Sequence, residues 1–337
     1  MADAGSHGAA PDRDADWLLN ELGGKHRAQV LSTLAALGVP DALHQRGACD
    51  LDALASLLGC DRADLESLVR AAAGLGCLDE VEPETFALTA RGEQLCSHRL
   101  GALAAFLGSR AQWDGWSRLR DSIKDGDPTP PLARAMGAGL YDYLAADPRA
   151  AAEYDAAIDA FTRREAALLE GRIDLDGVTH IVDVGGGRGG LLASLIVQAE
   201  GATGVLFDLP HVAEAARSQL PPRVEAVGGD FFDAVPEGGD LYVLKHVLHN
   251  WPDEDAARIL ANCCSARADG GRVLVLDAVL APDNRPDLAR LLDLEMRVLC
   301  GGRERRKPEL RRLLQRAGLR IEQAEELDAS TWLFVCR

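Results

Sequence analysis

The 337-residue chain is short of positive charge, of aromatic side chains and of long apolar runs. Lys and Arg number 36 against 53 Asp and Glu, a formal net charge of −17. Affinity for phosphate backbones comes mainly from Lys and Arg, so this balance speaks against nucleic acid as a partner and against anionic membrane surfaces. No apolar stretch reaches the roughly 20 residues that a spanning helix needs. Residues 1–16 carry no basic segment followed by an apolar one, so no secretory leader is read there and the stretch reads as a disordered polar tail. The eight cysteines form no C-x-x-C pair. That argues against a disulfide frame or a zinc site, and for reduced thiols in a cytoplasmic protein. None sits in a context that would activate a nucleophile.

What is present is ordinary globular composition, 47% hydrophobic and 26% charged, in a chain long enough for two domains. Residues 17–100 read as mostly helical. Val30, Leu31, Leu34, Leu37 and Val39 give Gln29–Leu43 a helical period. Leu51–Gly59 and Asp61–Leu75 read as two helices joined at a glycine, with Asp61 as an N-cap. Leu78–Thr89 reads as two short strands about Pro83. Helices followed by a hairpin form a winged-helix pattern, which often binds DNA. Residues 1–100, however, hold sixteen acidic and eight basic side chains, and a recognition helix over 61–73 would present Asp61, Asp64 and Glu66. That sign is wrong for tracking phosphates, so a dimerisation role is expected.

Residues 101–170 continue helical, broken by the segment from Asp125 to Pro131. Trp113 and Trp116 stand at i, i+3, a spacing that suits packing or a ligand wall. From Thr179 strands alternate with helices: strands at 180–184, 204–209, 224–227, 241–245 and 272–279, and helices at 252–266 and 309–317. Two closing strands, 321–327 and 331–336, are spaced as an antiparallel hairpin. Such alternation implies a mostly parallel sheet with helices on both faces and ligands at the carboxyl ends of its strands.

The candidate site residues gather at those ends. Ile181–Gly190 is a β-branched run meeting five glycines just before a helix, a turn where a ligand can approach the backbone. Gly185, Gly187 and Gly190 satisfy the dinucleotide pattern G-x-G-x-x-G. Asp183, Gly185, Gly187 and Gly189 fit an adenosylmethionine pattern equally well, so the glycines leave the cofactor open. Asp208 ends the second strand and could hold ribose hydroxyls in either case. The Gly229-Asp230-Phe231 turn offers a carboxylate and an aromatic ring to an adenine. His249 lies just past the fourth strand, where a general base is well placed, while His246 reads as structural. Two histidines at i, i+3 could also ligate a metal, but no third ligand has matching spacing, so none is expected.

Taken in order, the segments 183–189, 207–212, 229–232, 244–254, 272–277 and 301–305, with Tyr141–Pro148 before them, resemble the small-molecule O-methyltransferases of the plant caffeate type and their bacterial natural-product relatives. The resemblance spans roughly residues 20–337. It implies a Rossmann-like, mostly parallel seven-stranded sheet with a terminal antiparallel hairpin, preceded by a winged-helix dimerisation domain. The implied domains are 17–100 for dimerisation, 101–170 as a helical linker beside the substrate, and 171–337 for catalysis. S-adenosyl-L-methionine is the implied cofactor, held by Asp183, Gly185, Gly187, Asp208, Leu209 and Gly229. Asp230 and Phe231 would take the adenine, with Lys245 and Trp251 nearby. His249 would be the base, oriented by Asp277 and Glu304. The implied partners are an aromatic small molecule and a second copy of the chain. Candidate pocket-wall residues are Trp113, Tyr154, Phe161, Asn250 and Met296. Asn250 stands where plant members carry aspartate, and Asp277 where they carry glutamate. The readings set against this one are an NAD-dependent dehydrogenase, a family relative using adenosylmethionine for hydroxylation or decarboxylation, and a winged-helix regulator that senses a ligand.

Overall fold

The computed structural model describes residues 12–284 and 287–337, which form two compact units divided after Gly108. Residues 1–11 of the expected tail lie outside the described residues. The tail reading fails at its end, because Asp12 accepts from the Ala15 amide and caps a helix, α1 (Arg13–Leu22).

The first unit continues with α2 (Gly24–Ala36) and α3 (Val39–Arg46), not one helix over 29–43. The chain breaks at Gly38, whose φ of 74° is open to glycine, and Pro40 sits at the start of the next helix. A two-residue strand β1 (Cys49–Asp50) follows, then α4 (Leu51–Leu58) and α5 (Arg62–Gly74), with Asp61 capping α5 as expected. Strands β2 (Leu78–Glu82) and β3 (Thr85–Leu88) complete a three-stranded sheet in the order β1-β3-β2. Leu34, Leu51, Leu54, Val69, Leu78 and Phe86 fill its core. Both arginines of α5 are engaged by acids, Arg62 with Asp52, Glu66 and Glu84, and Arg70 with Glu66 and Glu80. The face a DNA-binding relative would use is therefore neutralised or acidic. Helix α6 (Gly101–Leu107) closes this unit, so the expected 101–170 linker is divided, its first helix belonging here.

The second unit opens with α7 (Arg110–Ser117), α8 (Leu119–Asp125), α9 (Pro131–Met136), α10 (Leu140–Ala146) and α11 (Pro148–Leu169). The alternating part follows: β4 (His180–Val184), α12 (Gly190–Gln198), β5 (Thr203–Asp208), α13 (Pro210–Ala216), β6 (Val224–Gly228), β7 (Leu241–Lys245), α14 (Asp253–Ala266) and β8 (Arg272–Leu280). It ends with α15 (Leu288–Leu299), β9 (Arg305–Arg306), α16 (Lys307–Arg316), β10 (Ile321–Glu326) and β11 (Thr331–Cys336). The strand order is β10-β11-β8-β7-β4-β5-β6. The two-residue β9 adds an eighth strand to the expected seven, pairing in parallel with β8. Strand β11 runs antiparallel to both its neighbours, as the closing hairpin implied.

The pleat sends alternate side chains to the two helix layers. Val182, Val184, Leu244 and Val275 meet α14 and α16 on one face, while Ile181, Val243 and Leu274 meet α12 and the end of α11 on the other. From β4 the chain winds outward through β5 and β6, then returns to build β7 and β8 on the opposite side. The order reverses between β4 and β7, and the crevice beyond their carboxyl ends is where such sheets hold ligands.

Candidate active site

At that reversal the turn after β4 is shaped by close approach. Gly185 has a φ of 72°, and a Cβ there would stand 2.9 Å from Val247 Cγ2 and 3.8 Å from the Phe231 ring. Gly187 has a φ of 59° and would meet nothing within 4 Å, so its backbone faces open space. Its amide donates to Asp208 Oδ2 at 2.8 Å, and the Leu209 amide donates to Oδ1 at 2.7 Å. Asp208 makes no side-chain cap for α13. It ties the end of β5 to the glycine turn. Arg188 lies 3.6 Å from Asp155 on α11.

Beside this turn stands an aromatic group. The rings of Phe231, Phe232 and Trp251 meet edge to face at 4.7–6.0 Å, and Tyr141 stacks on Trp251 at 6.4 Å. Asp230 is exposed and accepts from the Phe232 amide at 2.8 Å. Gly229 fits against the Phe207 ring, 2.5 Å from where a Cβ would lie. Lys245 does not join this aromatic group. Its ammonium reaches Glu165 Oε2 at 3.3 Å, drawn by a carboxylate with no exposure to water.

Asp183 is buried and Asp208 half-buried near the turn. Burial pushes the Asp183 carboxyl up to about 7, the nearby Lys245 charge opposing, and its Oδ2 has no hydrogen-bond partner. Burial raises Asp208 as well, against the pull of its two amide donors. Paired acids in an apolar setting, an open glycine backbone and an adjacent aromatic wall fit a cationic, adenine-bearing ligand.

Past β7, His249 sits in a short 3₁₀ turn, Leu248–Asn250. Its Nδ1 is 2.8 Å from Glu304 Oε1. A carboxylate accepts only, so a proton is on Nδ1, and in the neutral ring the lone pair falls to Nε2. Asp277 Oδ1 is 3.3 Å from the same Nδ1, without hydrogen-bond geometry. The shorter side chain thus leaves Glu304 as the main orienting group. His246 lies 5.0 Å from His249 ring to ring, with Nε2 2.7 Å from Glu165 and Nδ1 3.5 Å from Asp277. His246, His249 and Asp277 each bring one polar atom within 4.8 Å of the others, so a third group does converge on the two histidines, contrary to the spacing argument. Glu304 occupies the His249 Nδ1, while His246 Nδ1 and Asp277 Oδ1 make no hydrogen bond.

The turn is held from below. Arg305 is buried and donates to Leu248 O and Trp251 O, both at 2.7 Å, and to Asp253 at 3.0 Å. Gly302 passes so close that a Cβ would fall 2.1 Å from His249 O. Neither Arg305 nor Glu165 had been picked out by spacing.

The pocket-wall candidates divide. Met296 packs with Leu132, Leu140, Leu144 and Leu299, which makes it core and not an open wall. Asn250 donates to His246 O at 3.0 Å and accepts from the Cys300 thiol at 3.4 Å, so its amide braces the histidine turn. Trp116 donates to Glu295 at 2.6 Å, fastening α7 to α15, and Trp113 is half-buried on the same helix. Phe161 lies 5.6 Å from the His246 ring. Burial pushes the phenols of Tyr141 and Tyr154 above the ordinary value, and the Cys300 thiol up to about 11, so these groups stay protonated at neutral pH. All eight cysteines are free.

The comparisons with known proteins agree with this architecture. The O-methyltransferase domain matches residues 116–320, and the O-methyltransferase dimerisation domain matches residues 20–98. The chain is 33% identical over 328 residues to the mitomycin biosynthesis 6-O-methyltransferase of Streptomyces lavendulae, covering 94% of this chain and 93% of that one. It is also 33% identical over 341 residues to the aclacinomycin 10-hydroxylase RdmB of Streptomyces purpurascens, covering 96% and 88%. The crystal structure of CalO1, a methyltransferase in calicheamicin biosynthesis in its SAH-bound form, aligns with a TM-score of 0.83 at 31% identity, over 98% of this chain and 99% of that one. The chain belongs to the O-methyltransferase family. It is an S-adenosyl-L-methionine-dependent enzyme, and that cofactor answers the dehydrogenase alternative.

Two consequences are open to measurement. Arg305→Ala leaves Trp251 O without its donor and Leu248 O with only the Trp251 amide at 3.3 Å, at about 1–3 kcal/mol for the unsatisfied group. Denaturant midpoints should therefore fall by an equivalent of about 1–3 kcal/mol, and an unchanged midpoint would show that water replaces the guanidinium. The Asp183 carboxyl, held at about 7, keeps a proton above pH 4 that the unfolded chain has released. That contribution is lost as pH rises through 7. Asp183→Asn should flatten this loss, gaining about 2–3 kcal/mol on the native protein between pH 5 and 8.5. Parallel stability curves for the two proteins would contradict it.

Proposed function

We propose that the enzyme methylates a phenolic hydroxyl of an aromatic natural product, of polyketide type, with His249 as the general base. The observation that carries this reading is the buried bond between His249 Nδ1 and Glu304, which fixes the tautomer that leaves Nε2 basic. Relatives named for mitomycin and calicheamicin biosynthesis support the substrate class.

When bound, S-adenosyl-L-methionine supplies an electrophilic methyl carbon on a sulfonium. The residues suited to hold it are Asp183, Gly185, Gly187, Asp208, Leu209 and Gly229 at the strand ends, with Asp208 toward the ribose hydroxyls. Asp230, Phe231 and Trp251 suit the adenine. The acceptor then needs only a nucleophilic oxygen. A phenol has a pKa of about 10 and histidine about 6.5, so complete proton transfer at those values costs about 5 kcal/mol. Glu304 and Asp277 beside Nδ1 stabilise the imidazolium that forms and narrow that gap. Holding oxygen, methyl carbon and sulfur in line supplies much of the remaining acceleration.

The domain assignment is proposed as dimerisation through 17–100, substrate contacts from 101–170 and catalysis within 171–337. Exposed Trp17, Leu19 and Leu22 on α1, each over 60% accessible, support a homodimer built through the first unit. Among the described residues no helix is long and apolar enough to cross a membrane, and eight free thiols suit the cytoplasm. A second reading, hydroxylation, draws on the relative of that name.

His249→Ala should lower kcat about 10²–10⁴-fold while still binding S-adenosylhomocysteine in calorimetry, because its task is proton transfer. Normal turnover of a phenol in that variant would sink the assignment. Light scattering should return twice the chain mass of 36.0 kDa; a mass of one chain would remove the dimer.

A further inference from the structure

The second unit buries a charge cluster larger than the base needs. Glu165, on α11, has no exposure, yet three polar groups from elsewhere in the chain converge on it. His246 Nε2 is 2.7 Å from Oε1, Lys245 Nζ is 3.3 Å from Oε2, and the Thr331 hydroxyl on β11 donates to Oε1 at 3.5 Å. The Phe161 ring lies 5.6 Å from the His246 ring and 6.0 Å from the Lys245 ammonium. His246 also carries a φ of 54°, a left-handed backbone uncommon for a residue with a side chain. Its ring stands between two acids. One nitrogen faces Glu165 and the other faces Asp277, and carboxylates on both sides suit an imidazolium with both nitrogens protonated.

We propose that Glu165 and His246 are positioning residues for the proton transfer: Glu165 holds His246 as a cation, and that cation keeps Asp277 aimed at His249. The proposal rests on the reading of His249 as the base. Counting Lys245 and His246 against Glu165, Asp277 and Glu304 gives a formal charge of minus one for these five groups, with Asp183, which also faces Lys245, outside the sum. The proton leaving the acceptor hydroxyl for His249 Nε2 brings the cluster to zero, as the methyl group passes from sulfonium to oxygen. The groups facing His246 are Glu165 from α11, Lys245 from β7, Asp277 from β8 and His249 from the turn, with Glu304 one step further behind His249. Burial by itself would discharge the His246 ring, but the Glu165 charge and the nearby Asp277 outweigh it and raise His246 to about 9. Burial would likewise raise Glu165, and the His246 and Lys245 charges instead hold it at about 2. A neutral His246 would turn a lone pair toward Asp277 and push it away from His249.

The first test is a nitrogen-15 NMR titration of the histidine rings in the native enzyme, with His246→Gln assigning the resonance. The His246 ring should remain doubly protonated at pH 8. A ring that titrates near the ordinary 6.5 would overturn the proposal without touching the role of His249. The second test is the pH profile of kcat for Glu165→Gln, with Glu165→Asp as the conservative rescue. Turnover of Glu165→Gln relative to the native enzyme should fall by about tenfold or more between pH 6 and 8.5. S-adenosylhomocysteine affinity should stay within about threefold, and Glu165→Asp should recover most of the rate. A ratio flat with pH would mean that Glu165 serves the fold alone and would overturn the proposal. If Glu165→Gln does not fold, the NMR titration of the native protein decides by itself. Normal turnover in His249→Ala would instead remove the base reading, so the two failures are distinguishable.

Discussion

Four carboxylates, Glu165, Asp183, Asp277 and Glu304, are buried in the second unit, and each is at most 3% exposed. An unpaired charge in such surroundings costs several kcal/mol. The local structure is organised around meeting that cost by different means. Glu304 takes the His249 ring, Glu165 takes two cations, and Asp277 stands between two imidazoles. Asp183 has Lys245 as its nearest counter-charge and is held partly protonated. The strand ends can crowd these groups together because the sheet reverses direction there, which opens a crevice while the layers behind it stay closed.

Holding the histidine turn in register falls to groups that never meet the chemistry. Gly302 lets the chain pass over His249 O at a distance no Cβ would allow, and the Arg303 amide donates to that same oxygen at 2.8 Å. Arg305 spans Leu248 and Trp251 from beneath, and Asn250 ties His246 O to Cys300. On the proposed reading of His249 as the base, which must stay within hydrogen-bond reach of the proton it takes, the bracing of this short turn serves the chemistry. The aspartate-to-asparagine difference at 250 is consistent with that structural use, since an amide can donate to a backbone carbonyl and accept from a thiol at once.

His180–Val184, Leu241–Lys245 and Thr331–Cys336 were legible as short apolar, strand-forming runs and stand where the pattern put them. The Asp61 cap and the closing hairpin follow from local chemistry in the same way. The helix over 29–43 did not survive, because the apolar period runs on through Gly38 while the backbone turns there. Glu165 was invisible for another reason. Its partners are 80 and 81 residues away, and nothing in the α11 sequence separates it from the charged residues around it. His246 read as structural from its position alone, since a single histidine gives no hint of the two carboxylates the fold brings to it. Met296 failed as a wall residue because an apolar residue at helical spacing serves a core and a pocket equally well.

The family includes proteins named as methyltransferases and one named as a hydroxylase, and the arrangement of this fold explains how one scaffold can serve both. Most groups suited to adenosylmethionine sit on β4, β5 and the turn after β6, with Trp251 on the turn after β7. The groups suited to proton transfer sit after β7, in β8 and just before β9. Because the two sets share only that turn, much of the second can change without dismantling the first. Discriminating the two chemistries therefore falls to the proton-transfer half. In this chain that half is elaborate, with two histidines, three buried carboxylates and a lysine. On the proposed reading of His249 as the base, a cluster that holds its ring by Nδ1 suits an acceptor hydroxyl that gives up a proton.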